Sequence, residues 1–213
     1  MLNGGKPEQI FAERLAETIR DAHDVLDVGT SQRFAKELRR YEQWFAGKRY
    51  VAAGYEPSQT YAAYSCDCHQ DIQAMSFADE SFDAVLCIEV VEHVADPFAA
   101  TRELRRVLRA GGRLLLTTPF LSQYHGKAKN GSHSPAHDSY PDYWRFTHQG
   151  LEQLCRDFRD VRVLPLEGPI EFRLAQFFLA RWCNVQPLRA VLDAVDFPRL
   201  GKATGRHLLT AIR

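Results

Sequence analysis

Apolar residues along the chain alternate between two periods. Ile10, Phe11, Leu15 and Ile19 recur at helical spacing with charges between them, which predicts an amphipathic first helix. The short run Val25-Leu26-Asp27-Val28-Gly29 predicts a strand that ends in an acid and a glycine. Phe34, Leu38, Tyr41 and Phe45 recur every three or four residues, so a second helix is expected after that turn. Tyr50 to Ala53 predicts a second strand, and Asp67 is placed to open a third at the sheet edge. Ala84 to Ile88 is a continuous apolar run of strand length, suited to burial on both faces. Asp96 is positioned to cap a helix with Pro97 at its first position, and Phe98, Thr101, Leu104, Val107 and Leu108 carry the helical period. Gly111-Gly112 is expected to end that helix, and Arg113 to Thr118 to form the next strand. Thr147 can cap a further helix bearing Leu151, Leu154, Cys155 and Phe158.

Strand, helix, strand at these lengths is a βαβ unit, which implies neighbouring parallel strands. Doubly wound folds bind nucleotides at the carboxyl edge of such a sheet, where the turn at Gly29 falls. Glu56 follows the second strand, where an acid can accept both hydroxyls of a ribose; the alternative is a solvated turn glutamate. Asp71 beside Ile72 suits an adenine, the carboxylate accepting the exocyclic amine while the aliphatic side chain covers the ring.

Charge narrows the partners. Lys and Arg equal Asp and Glu at 27 each, so no net field favours nucleic acid or acidic lipid, and no nucleic-acid partner is expected. Five cysteines without a framework spacing point to a reducing compartment. Met1 to Lys6 carries no apolar signal core, and no run approaches the ~18 apolar residues of a spanning helix. The expectation is a cytoplasmic protein of one domain over residues 1–213.

Asp27-Val28-Gly29, Glu56, Asp71-Ile72, the block Phe77 to Asp83, Glu89-Val90-Val91-Glu92-His93-Val94 and Leu108 to Gly112 together resemble a class I S-adenosylmethionine-dependent methyltransferase of the type 11-like group. The resemblance runs from about residue 24 to 120. It implies an α/β, Rossmann-like sheet of seven mostly parallel strands with an antiparallel last strand and helices on both faces. Val161 to Leu166 and His207 to Ile212 fit its last two strands. It implies S-adenosyl-L-methionine as cofactor, held by Asp27, Gly29, Thr30, Ser31, Glu56, Asp71, Ile72, Ile88 and Glu89. One departure stands out: the family's first turn is glycine-rich, whereas Asp27-Val28-Gly29-Thr30-Ser31-Gln32-Arg33 keeps one glycine, and Thr30 and Ser31 hydroxyls stand where backbone contacts are usual.

Residues 120–147 follow the fifth strand without periodicity, the mark of a functional loop or a disordered one. Leaving a carboxyl edge, they are placed to roof the cofactor and carry the substrate. His125, His137 or Asp142 is the candidate general base, with Asp138 or Asp142 orienting it. Arg145 is a candidate clamp for a substrate carboxylate or phosphate, and Tyr143 and Trp144 for stacking on a sugar face. In the alternative, Trp144 and Phe146 anchor the loop, Arg145 makes a structural ion pair, and the histidines are solvated. Asp142-Tyr143-Trp144-Arg145-Phe146-Thr147 with Gly150-Leu151 also resembles a segment of bacterial methyltransferases linked to cell-surface polysaccharide and other glycan modification. Some quinone-biosynthesis methyltransferases with a similar Glu-Val-x-Glu-His segment use a metal. Here Glu89 is assigned to the methionine end of the cofactor and His93 to the helix start, and no metal is assigned. Residues 168–206, rich in aromatics from Phe172 to Trp182, are expected to be a helical cover or a homodimer face, or to touch a lipid-linked substrate.

These residues point to methyl transfer onto a hydroxyl of a sugar or other small hydroxylated metabolite. A catalytically weak binding subunit that partners another enzyme is the alternative. A nicotinamide-dependent dehydrogenase fits poorly, because a second turn glycine is missing and Asp71 goes unused.

Overall fold

A computed structural model describes residues 7–55, 65–122, 141–166 and 206–213. Among them, helix α1 (Pro7–Ile19) buries Phe11, Leu15 and Ile19 along the predicted stripe. Strands β1 (Asp24–Val28), β2 (Arg49–Gly54), β3 (Cys68–His69), β4 (Phe82–Ile88), β5 (Leu108–Pro119), β6 (Arg159–Pro165) and β7 (Arg206–Ile212) form one sheet in the order β3-β2-β1-β4-β5-β7-β6. β7 runs antiparallel to both neighbours, and the pairs on the β1 side are parallel, as expected.

The sheet has a core on each face. Leu26, Val28, Val85 and Leu116 pack toward α2 (Pro97–Val107) and α3 (His148–Leu154). Val25, Ala52, Leu86 and Leu115 pack toward α1. The runs read as fully buried strands are buried for that reason. Both predicted caps form: Asp96 accepts from the Ala99 amide at 2.9 Å, and Thr147 from the Gly150 amide at 3.0 Å.

Two elements differ from the sequence pattern. Lys36–Phe45 is a 3₁₀ helix. The spacings of four, three and four suit the α period of 3.6, and the 3₁₀ winding departs from them. Phe34 precedes it at φ +52° and stacks on Tyr50 at 4.3 Å, while Phe45 meets both rings. The second difference is at Gly111. Helix α2 stops at Val107, and Gly111, at φ +79°, lies inside β5, where the pairing with β4 slips between Phe82 and Ala84.

Candidate active site

Strand register sets the geometry. Val28 pairs with Ala53 and with Cys87, and Cys87 with Leu116, so β1, β2, β4 and β5 end level. Gly29, Gly54, Ile88 and Thr117 therefore open one carboxyl edge. The Gln70 amide donates to the Gly54 carbonyl at 2.7 Å, which brings Asp71 to the same edge.

The turn after β1 is tight. Gly29 has φ +77°, and a Cβ there would meet Val90 Cγ2 at 2.5 Å. Glycine is thus required both by backbone conformation and by a neighbour from the β4 side. The amides of Gly29 and Thr30 both donate to the Ala53 carbonyl, at 2.7 and 3.2 Å, and the Thr30 hydroxyl donates to the Gln32 carbonyl at 2.7 Å. Those donors hold the turn itself together; they are not an open anion cradle. Ser31 is half-buried beside them. Asp27, named for the cofactor, is buried and accepts from the Tyr50 hydroxyl at 2.5 Å. Its carboxylate braces β1 against β2 on the α1 face. Burial first, then the Asp27 charge and hydrogen bond, raise the Tyr50 pKa, so the phenol stays a donor.

Asp71 is half-buried, and its Oδ1 accepts from both the amide and the side chain of Gln73. The Ile72 side chain is buried in the core cluster that also holds Met75 and Phe82. Ile88 is likewise a core side chain, on the α1 face. Glu89 follows it at φ +54°, a strained conformation for a non-glycine residue at the edge where the methionine end was expected. The block Phe77 to Asp83 is scaffolding for this edge. Arg106 donates to the carbonyls of Met75 and Phe77 and to Asp79, and Glu103 accepts from the Met75 amide.

The segment 141–147 is pinned over the chain that follows β4. The amides of Tyr143 and Trp144 donate to the Glu92 carbonyl, the Trp144 indole N–H donates to the Val94 carbonyl at 2.8 Å, and His93 Nδ1 lies 2.6 Å from the Pro141 carbonyl. Arg145 binds Asp142 through two nitrogens, one at 2.7 Å, and the Asp142 side chain is 0% exposed. The hydrogen bonds and charge of Asp142, with weaker contributions from Glu92 and Glu89, raise the Arg145 pKa against the effect of its burial. Two expectations change here. Asp142 is committed to a guanidinium and is a poor general base, and the Arg145 fork is taken by Asp142 and not offered to a substrate. Tyr143 is exposed and Trp144 partly so, which leaves both rings available for contact.

Glu56, His125 and His137 lie outside the described residues, as do His133, Asp138 and residues 168–205 of the expected cover. Among the described residues no cluster of His, Cys, Asp and Glu is arranged to hold a metal ion. No described helix is long and apolar enough to cross a membrane. Sequence reasoning missed Tyr50 and His207. Tyr50 opens a strand facing the acid of its neighbour, a pairing that appears only once register is known. His207 is 2% exposed beside Phe120, and neither ring nitrogen has a hydrogen-bond partner.

Residues 26–116 match the methyltransferase domain family. The fold is that of solved S-adenosyl-L-methionine-dependent methyltransferases. It superposes on a SAM-dependent methyltransferase from Archaeoglobus fulgidus with a TM-score of 0.56 at 16% identity, covering 98% of this chain and 95% of that one. It also superposes on the [4+2]-cyclase SpnF, with a TM-score of 0.56 at 18% identity over 97% of this chain and 81% of that one. A Haemonchus contortus phosphoethanolamine N-methyltransferase with S-adenosyl-L-methionine bound gives 0.51 at 16% identity, over 95% and 52%. Among curated proteins, a ubiquinone biosynthesis O-methyltransferase from Xanthomonas oryzae pv. oryzae is 55% identical over 38 residues, 18% of this chain and 16% of that protein. One from Parvibaculum lavamentivorans is 44% identical over 46 residues, 22% and 18%. These matches span less than a fifth of the curated relatives. Two structural neighbours carry S-adenosyl-L-methionine or S-adenosylhomocysteine, and the glycine turn, Asp71 and Glu89 here would suit such a cofactor: one left-handed position without a side chain, and two carboxylates at one edge.

Proposed function

We propose that the protein is an S-adenosyl-L-methionine-dependent methyltransferase that O-methylates a sugar or another small hydroxylated metabolite. The observation that carries this is the shared edge, where level strand ends bring Gly29, Asp71 and Glu89 together. The bound cofactor supplies a methyl group activated on a sulfonium. Asp71 would hold the adenine amine through the oxygen that Gln73 does not use, and Glu56 would hold the ribose. Glu89 would face the methionine end. Alignment of acceptor and methyl supplies roughly 7–11 kcal/mol of barrier lowering where it is complete. A hydroxyl acceptor also loses a proton, for which His125 and His137 remain the proposed bases. Oxygen as the methylated atom draws support from the short matches to O-methyltransferases. Residues 1–213 act as one cytoplasmic unit, with 120–147 on the substrate side and 168–206 as cover or homodimer face.

A second reading keeps the fold and drops the chemistry: a methyltransferase-like subunit that supports another enzyme. It is favoured by the turn amides that Ala53 already occupies, and one structural neighbour is a cyclase, so this fold does not fix the reaction. Calorimetry with S-adenosylhomocysteine, followed by transfer of labelled methyl from S-adenosyl-L-methionine to hydroxylated acceptors, separates the two. Binding with transfer supports the enzyme; no binding at high micromolar cofactor, or binding without transfer, supports the subunit.

A further inference from the structure

A cavity of about 320 Å³ lies on the α1 face of the sheet, beside the edge just described. It is closed by the start of α1, by the 3₁₀ helix, and by the ends of β5 and β6 with the start of β7. Thr117 lines it. The Thr117 carbonyl accepts from the Glu89 amide at 3.1 Å, so the cavity begins one strand away from the position assigned to the methionine end of the cofactor.

Its polar groups are incompletely used. The Thr117 hydroxyl is sheltered from solvent and has no hydrogen-bond partner. Glu37 Oε1 accepts from Arg206 at 2.8 Å, whereas Glu37 Oε2, also sheltered, has no partner. Each such group costs roughly 1–3 kcal/mol, so two on one small cavity are not explained by folding alone. Both lie just under the cavity wall, and a small side-chain rotation would bring each to a ligand hydroxyl: one donating to Glu37 Oε2, another exchanging a hydrogen bond with Thr117. Phe11 and Tyr41, whose ring centroids are 5.9 Å apart, supply aromatic surface.

The cations present are already matched. Arg206 pairs with Glu37, and Arg40 pairs with Glu8 at 3.0 Å across the exposed rim. Tyr41 is a neutral phenol, its pKa raised chiefly by burial. Among the described residues no surplus positive charge lines the cavity to hold a phosphate or carboxylate. The volume falls at the small end of ligand pockets, the size of one ring and not of a chain.

We infer that this cavity is the acceptor site, and that it takes a neutral ring bearing at least two hydroxyls, held by Glu37 and Thr117 against Phe11 and Tyr41. The inference rests on the methyltransferase reading and names its substrate class. Two sources share that chemistry, a pyranose and a dihydroxylated aromatic ring.

Saturation-transfer NMR on the full chain, loaded with S-adenosylhomocysteine, tests it with two probe sets. The neutral set is methyl pyranosides and catechol; the anionic set is the matching sugar phosphates and dihydroxybenzoate. Binding of a neutral probe is expected, with the responding member distinguishing the two sources. Its dissociation constant should rise at least tenfold in Thr117→Val and in Glu37→Gln. Thr117→Val keeps the side-chain shape and the Glu37–Arg206 pair, so it decides the matter if Glu37→Gln folds poorly. Binding by anionic probes alone, by no probe, or at wild-type affinity in Thr117→Val overturns the inference. If S-adenosylhomocysteine itself fails to bind, the methyltransferase reading fails instead.

Discussion

The Tyr50 hydroxyl donates to Asp27 Oδ2 at 2.5 Å inside the core on the α1 face, and the Tyr50 hydroxyl oxygen accepts from the Phe34 amide at 3.3 Å. One phenol thus joins the acid of β1 to the chain that leaves the cofactor turn. Tyr50→Phe removes a hydrogen bond to a buried carboxylate, which is worth roughly 1.5–3 kcal/mol. Urea unfolding should show that loss, and calorimetry should show weaker S-adenosylhomocysteine binding because the turn is no longer braced. Unchanged stability would mean that Asp27 finds an equivalent partner.

Gly29→Ala should fail for two separable reasons. The left-handed conformation costs an alanine roughly 1–2 kcal/mol, and the new methyl collides with Val90. Val90→Ala should relieve only the collision. In a double-mutant cycle the pair should therefore be less destabilised than the sum of the singles. Strict additivity would place the cost wholly in the backbone.

Breaking the Asp142–Arg145 pair should act on stability. Removing one partner of a buried ion pair typically costs about 3–5 kcal/mol. Asp142→Asn should lower the unfolding free energy within or somewhat below that range, since Asn keeps part of the hydrogen bonding. It should leave the acid limb of the pH–rate profile, where a general base loses its proton, in place. A stable variant that has lost that limb would return Asp142 to the role of base.

His207 makes stability depend on pH. Burial, and then the neighbouring His148 charge, lower its pKa from 6.5 to about 4. The unfolded chain therefore binds the proton first, between about pH 6.5 and 4. Stability contributed above 6.5 should be lost as pH falls through that window, by at most about 3 kcal/mol. His207→Gln should flatten the curve there, read by denaturant unfolding at each pH.

Asp24 governs a lower window, at the opposite edge of the sheet. Burial alone would raise its carboxyl, but hydrogen bonds from Arg49 and Arg109 and the Arg49 charge outweigh it and bring the pKa from 3.8 to about 2. Stability present above pH 4 should decline as pH falls from about 4 to 2, by on the order of 2 kcal/mol. Asp24→Asn should lose this acid-sensitive part while keeping the His207 window. An unchanged acid limb would assign it to other carboxylates.

The linear pattern of the chain determined the strand runs of β1, β4 and β5, the turn at Gly29 and the caps at Asp96 and Thr147. Each is a local matter: an apolar run reports burial, and a cap reaches three residues along its own backbone. It also placed Asp71 and Glu89 at one edge, because parallel strands joined by crossovers end on the same side. Tertiary structure alone decided which acids are spoken for. Asp27 belongs to Tyr50 and Asp142 to Arg145, while Asp71 keeps an oxygen that Gln73 leaves unused. It alone placed Glu37 and Thr117, 80 residues apart in sequence, on one cavity. Hydrophobic period states which way a residue faces; a hydrogen-bond partner or a cavity wall depends on register and on the packing of layers, which no single element encodes.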